Sequence, residues 1–182
     1  MYVKGTWILD FVKMIRANKD KDWDRWLAPE DWEIINAQVL PSQWYPFESY
    51  ERIGKAVFVE IAQSNLDITR TFGRIMMRDL LKVYKNILVE GDLAASVEKF
   101  NILRKTFFRG IESDLIFVEQ GECHMVFKLM IAGIDRERAS PEAFAHQLAG
   151  NLEELVEQAG GKNVSVSVKT VEDGYELSLG WE

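Results

Sequence analysis

The sequence predicts an α+β fold, with an N-terminal helical layer packed on a four-stranded antiparallel β-β-α-β-β sheet. Three observations carry that prediction. Residues 113–120 and 122–131 alternate apolar and polar side chains around Gln120-Gly121, and residues 163–171 and 175–181 do so again around Asp173-Gly174. Period-2 segments joined by a short glycine turn are the strongest local hairpin signal. Residues 140–159, between the two hairpins, have helical spacing, as does most of the chain before residue 110. The chain therefore reads as a single domain, 1–182, with a helical half at 1–110 and a β-β-α-β-β half at 111–182.

In the helical half, Thr6 is the expected cap of a first helix carrying Trp7, Ile8, Phe11, Val12 and Ile15 on one face. Five of the six tryptophans fall within the first forty-four residues, where they would line an apolar-ligand cleft or, the reading preferred, anchor short helices that have few aliphatics. Leu40-Pro41-Ser42-Gln43-Trp44-Tyr45-Pro46 reads as a rigid extended connector, because each proline removes a donor and biases its predecessor toward extended backbone. After it, Tyr50, Ile53, Gly54, Val57, Phe58 and Ile61 trace a helical face. Asp67 then caps a central helix expected to reach about Glu90, with Ile68, Phe72, Ile75, Met76, Leu80, Val83 and Ile87 inward. Gly73 lowers the propensity of that helix by about 1 kcal/mol, which close approach of another backbone would offset. Asp92 caps a further helix to about Phe108, with Leu93, Val97, Phe100, Leu103 and Phe107 inward.

In the sheet half, Cys123, Met125, Phe127, Leu129 and Ile131 share a face, which makes Cys123 an expected buried thiol. His124 and Lys128 lie on the other face with no carboxylate implied nearby. The crossover helix is punctuated by Ser140 as cap, Pro141 at its first position and Gly160-Gly161 at its stop. Val164, Val166 and Val168 face the same way as Tyr175, Leu177, Leu179 and Trp181. The first two strands are apolar on both faces, so their second face is expected to meet the helical half.

Composition bounds the function. With 28% charged residues and sixteen glycines and prolines, the chain has the makeup of a folded domain. A single cysteine excludes an internal disulfide and a cysteine-based zinc site. With neither a leader pattern nor an apolar run of membrane-spanning length, a cytoplasmic protein without a membrane span is expected. The net charge of −7 is unevenly spread: residues 70–109 carry a net +5 and residues 140–182 a net −6. The acidic end argues against nucleic acid as a partner, since that affinity comes from neutralising phosphates. Arg70, Arg74 and Arg78 recur every fourth residue, a stripe that would suit an anion or an acidic partner if it is not plain solvated surface or paired with the chain's own acidic end.

No phosphate loop, G-x-G-x-x-G, G-x-S-x-G or H-E-x-x-H occurs, and two separated histidines make neither a triad nor a metal centre. The carboxylates are expected on solvated faces. The reading is therefore non-enzymatic, with no catalytic and no metal-ligating residue.

Trp44-Tyr45-Pro46 opening an amphipathic helix, Phe72-Gly73 inside the long helix, and a β-β-α-β-β unit closing on Gly180-Trp181 stand in an order that resembles a bacterial family. That family is related to the ligand-binding superfamily of heme nitric-oxide-binding, four-vinyl-reductase and TRAPP vesicle-tethering proteins. The likeness runs from about Leu27 onward and implies an apolar pocket between helices and sheet, with a sensing or scaffolding role. The superfamily's heme-binding members carry a helical histidine and a Tyr-x-Ser-x-Arg signature. Neither histidine here lies on a helix ahead of the sheet and the signature is absent, so no cofactor is expected and heme is disfavoured.

The expected function is a sensor-type domain that binds a small apolar or amphipathic ligand. Phe72, Met76, Phe107 and Phe127 are the candidate lining residues, and Arg70, Arg74 and Arg78 are candidates for an anion or partner. The alternative is an interaction module, a homodimer or a partner of a signalling protein, without ligand.

Overall fold

A computed structural model describes residues 1–110, 113–131 and 135–182. The elements in chain order are β1 (Tyr2–Lys4), α1 (Gly5–Ala17), α2 (Pro29–Asn36), β2 (Trp44–Pro46), α3 (Phe47–Glu60), α4 (Leu66–Val83) and α5 (Leu93–Lys105). They continue with β3 (Phe108–Arg109), β4 (Ser113–Gln120), β5 (His124–Ile131), α6 (Pro141–Gln158), β6 (Ser165–Val171) and β7 (Gly174–Gly180). The fold is α+β with two antiparallel sheets, of order β2-β1-β3 and β4-β5-β7-β6.

The chain forms two compact units. Met1–Asn65, Thr106–Ile111 and Gly133–Pro141 make the first; Leu66–Lys105, Glu112–Ala132 and Glu142–Glu182 make the second. A division at residue 110 would set every helix of the first half apart from the sheet. In the structure α4 and α5 group with the sheet instead.

In the first unit, Trp7, Ile8, Phe11, Val12 and Ile15 of α1 are buried, as their spacing predicts, and so are Tyr50, Ile53 and Val57 of α3. Rings join the elements: Trp7 lies 5.6 Å from Phe107 and 6.1 Å from Phe108, and Phe11 stacks on Tyr50 at 5.9 Å. Buried Trp7 and Trp23 thus act as anchors. Helix α1 starts at Gly5, one residue before the expected cap; the Thr6 hydroxyl donates instead to the Pro41 carbonyl at 3.0 Å. The extended connector ends in a strand. Trp44–Pro46 pairs antiparallel with Tyr2–Lys4, and Pro46 is tolerated there because β2 is an edge.

In the second unit the four-stranded sheet has the expected order of hairpins, and Val166 pairs with Leu179 and Val168 with Leu177 on one face. Both turns differ in detail from the sequence reading. Gln120 pairs with Met125 and the Gly121 amide donates to the His124 carbonyl at 2.9 Å, so Glu122 and Cys123 form the first turn, and Cys123 is exposed rather than buried. Val171 pairs with Gly174, so the second turn is Glu172-Asp173 and Gly174 is a strand residue. A Cβ on Gly174 would sit 2.1 Å from the Leu129 carbonyl oxygen, and its φ of +150° also favours glycine. The second face of β4 is not covered as expected: Ile116 is 45% exposed and Val118 57%, and Phe117, on the face of Phe127, is also 45% exposed. A register shift between Phe117 and Glu119 breaks the alternation there.

Helix α4 stops at Val83, well short of Glu90, and Lys85–Ile87 forms a separate 3-10 turn. Its buried face is Thr69, Gly73, Met76, Met77, Leu80 and Leu81; Ile68, Ile75 and Val83, expected inward, are exposed. Asp92 does cap α5, accepting from the Ala95 amide at 2.9 Å. Helix α6 is buried on every side from Gln147 to Val156. It touches α4 through glycines and β6 through Glu153, which accepts from the Val166 amide at 3.1 Å, so it lies between α4 and the sheet.

Candidate functional site

The seam between α4 and α6 gathers most of the residues that the sequence singles out. Gly73 and Gly150 face each other across it. A Cβ on Gly73 would lie 2.0 Å from the Gln147 carbonyl oxygen, and one on Gly150 would lie 2.0 Å from that of Arg70. Two helices approach this closely only where side chains are absent, which accounts for a glycine inside a long helix. Asn151 Nδ2 donates to the Gly73 carbonyl at 2.7 Å, and Gln147 Nε2 to Met76 Sδ at 3.2 Å.

The arginine stripe runs along this seam and meets a matching acidic series on α6. Arg70 Nε lies 3.4 Å from Glu153, and its Nη2 donates to the Val166 carbonyl. Arg74 reaches Glu153 at 3.4 Å and Glu154 at 3.5 Å, and also pairs with Glu157. Arg78 Nε donates to Glu154 at 2.6 Å. The expectation of carboxylates on solvated faces fails here, since Glu154 is 0% exposed and Glu153 is buried. Burial acts to raise the pKa of Glu154, but hydrogen bonds from Arg78 and Gln158, with the charges of Arg78 and Arg74, hold it below the ordinary carboxylate value. Burial likewise works against the charge on Arg74, and Glu157, Glu154 and Glu153 outweigh it. The stripe is therefore not bare solvated surface: each of its three arginines pairs with the chain's own carboxylates on α6.

The candidate lining residues are divided. Met76 and Phe127 are buried in the second unit and Phe72 is half-buried there. The Phe127 ring meets Phe117 edge-on at 5.9 Å. Phe107 belongs to the first unit, in the aromatic cluster with Trp7.

The two histidines differ. His124 has a carboxylate partner after all, Glu119 Oε1 at 3.2 Å from Nε2, because the register shift in β4 turns Glu119 toward it; both side chains are exposed. His146 on α6 keeps Nδ1 buried and without a hydrogen-bond partner. Its pKa is lowered by burial first and then by the Arg70 charge, with Glu142, Asp67 and Glu153 opposing. Among the described residues no group of three or more His, Cys, Asp or Glu is arranged to hold a metal ion, and no helix is long and apolar enough to cross a membrane.

No protein-family model matches this chain, and no curated protein matches it in sequence. Solved structures do match it in fold. The Fe(II) unliganded H-NOX protein from K. algicida superposes with a TM-score of 0.66 at 11% identity, covering 98% of this chain and 96% of that one. The H-NOX protein from S. oneidensis in the Fe(II)NO ligation state gives 0.65 at 13%, covering 98% and 99%. A mutant of the T. Tengcongensis H-NOX gives 0.63 at 13%, covering 98% and 97%. These neighbours are heme-nitric oxide binding domains, and that overturns the expectation of no cofactor with heme disfavoured. That expectation rested on short local motifs, whereas the likeness to these structures lies in the fold. From end to end, the chain has an H-NOX-like fold.

Proposed function

We propose that this chain is a non-catalytic sensor-type domain that binds a small apolar or amphipathic molecule, with Phe72, Met76 and Phe127 of the second unit among the residues that contact it. The observation that supports this reading is the H-NOX-like fold over 98% of the chain. Heme is the ligand class that the neighbours bring to it. An iron bound there would supply a site for a diatomic gas, as in the Fe(II)NO form of the S. oneidensis protein.

Heme iron takes a side-chain nitrogen, sulfur or oxygen as its protein ligand. His124 is exposed and spends Nε2 on Glu119, whereas His146 offers a buried, unpartnered Nδ1. Burial and Arg70 favour its neutral form, the form that ligates a metal. His146 is thus the histidine whose chemistry fits an iron, and buried Met76, Met77 and Met125 are further soft donors in the same unit.

Titrating the purified full chain with hemin, and following the Soret band, tests this reading. Saturable uptake is expected, with a changed spectrum in His146→Ala. An unchanged spectrum in that variant removes His146 from the iron. Binding of iron-free protoporphyrin with no preference for hemin would leave an apolar-ligand sensor without metal, and no uptake of either would count against the tetrapyrrole class.

A second reading, an interaction module that forms a homodimer, is favoured by one observation. Ile116, Phe117 and Val118 are successive exposed apolar residues on β4, an edge strand of the four-stranded sheet. Such an edge is a template for pairing with another chain.

A further inference from the structure

The segment 135–140 belongs to the first unit although β5 before it and α6 after it belong to the second. It is a compact turn: the Arg138 and Ala139 amides both donate to the Asp135 carbonyl, at 3.0 and 2.8 Å. The turn is laid on α3 by charged contacts. Lys55 Nζ donates to the Glu137 carbonyl. Arg138 reaches Glu48 at 3.5 Å, Glu51 at 3.7 Å and its own turn's Asp135 at 3.3 Å.

Glu51 is the unusual member of this set. It is 4% exposed, and neither of its carboxylate oxygens accepts a hydrogen bond of normal geometry; buried Arg138 Nε donates none either. An ionised carboxylate buried with only a poorly formed hydrogen bond is disfavoured, and one cation that is not hydrogen-bonded to it compensates only in part. The charged groups that act on Glu51 are Glu48 from α3 and Asp135 and Arg138 from the turn, and two of the three are acids. Burial raises the Glu51 pKa, Arg138 and the nearby Asp135 amide lower it, and the charges of Asp135 and Glu48 raise it again, so the net direction is upward.

We propose that residues 135–140 form a strap that closes on α3 with uptake of one proton at Glu51 and is released when Glu51 ionises. The linkage fixes the direction. A carboxyl that binds its proton more tightly with the strap closed than in water makes closure more favourable at low pH and less so as pH rises. Release would return Glu51 to solvent and free the strap that runs directly into Pro141, the first residue of α6.

Hydrogen–deuterium exchange of the full chain from acidic to mildly alkaline pH, corrected for the intrinsic pH dependence of amide exchange, tests the strap as Glu51 loses its proton. Protection at 136–140 is expected to fall with rising pH, by up to about tenfold per unit while one proton is lost. Glu51→Gln, which keeps the shape and removes the titration, should hold the strap protected across the whole range. Arg138→Gln, which removes the compensating cation, should release it at lower pH than in the parent. A flat corrected profile in the parent would overturn the proposal without any variant, and so would a pH-dependent release that persists in Glu51→Gln.

Discussion

Gly73→Ala is expected to destabilise this protein by about 3 kcal/mol, because the added methyl collides with backbone rather than with a side chain that could move. The ideal Cβ position lies 2.0 Å from the Gln147 carbonyl oxygen and 3.2 Å from the Asn151 amide nitrogen, so α4 and α6 must separate to admit it. At an exposed helical position the same change would gain about 1 kcal/mol of propensity. The sign of the effect therefore discriminates between a packed crossing and a free helix face. For a chain of this size the loss corresponds to a fall in Tm of roughly 10 °C. Gly150→Ala should act alike, since its Cβ would meet the Arg70 carbonyl at 2.0 Å. A raised Tm in either variant would mean that the crossing is looser than described.

Replacing Arg70, Arg74 and Arg78 together with glutamine should prevent cooperative folding of the second unit. Were these side chains plain surface, each change would cost within about 0.5 kcal/mol. Instead the triple variant leaves Glu154 fully buried, and Glu153 nearly so, without a cation. Removing one side of a buried ion pair is among the more damaging single changes, because the remaining charge stays desolvated. Arg74→Gln alone, at a partly exposed position that shares three carboxylates, should cost about 2 kcal/mol. The seam should also be acid-sensitive. Glu154 has a folded pKa below its unfolded one, so its stabilising contribution is full above the unfolded carboxylate range and is lost as pH falls through the folded value. Circular dichroism melts of the triple variant at neutral pH, and of the parent across acidic pH, would check both statements. A triple variant that melts like the parent would contradict the seam.

These two effects also show what the sequence can and cannot carry. The face of α1, the two hairpins of the larger sheet, the Asp92 cap of α5 and Pro141 as the first residue of α6 are legible, because periodicity, turns and caps are local. Gly73 was legible in kind: an internal glycine asks for a close neighbour, though nothing local says that Gly150 is that neighbour. The pairing of Arg70, Arg74 and Arg78 with Glu153, Glu154 and Glu157 spans some eighty residues of chain, and spacing alone shows two charged series without joining them. The end of α4 was misplaced because Tyr84 to Glu90 continue an acceptable helical pattern; only the fold diverts them into a 3-10 turn around buried Ile87. Cys123 falls in the turn because β5 begins only at His124, and the register shift in β4 that brings Glu119 to His124 is announced by no residue. Side-chain size and inward direction say nothing about the unit that each candidate lining residue joins, and Phe107 lies in the first. Heme was set aside for want of a signature, while the fold that carries it in other proteins was present throughout.

Native mass spectrometry of the full chain, purified without denaturation and compared with the same sample after denaturation, tests the sensor reading most directly. The account predicts a chain whose native mass exceeds its sequence mass by a small molecule that is released on denaturation, or a ligand-free chain that takes up added hemin or protoporphyrin. A bare dimer that takes up neither, and that becomes monomeric when Phe117 on the exposed edge strand is replaced with lysine, would contradict the sensor and establish the interaction module in its place.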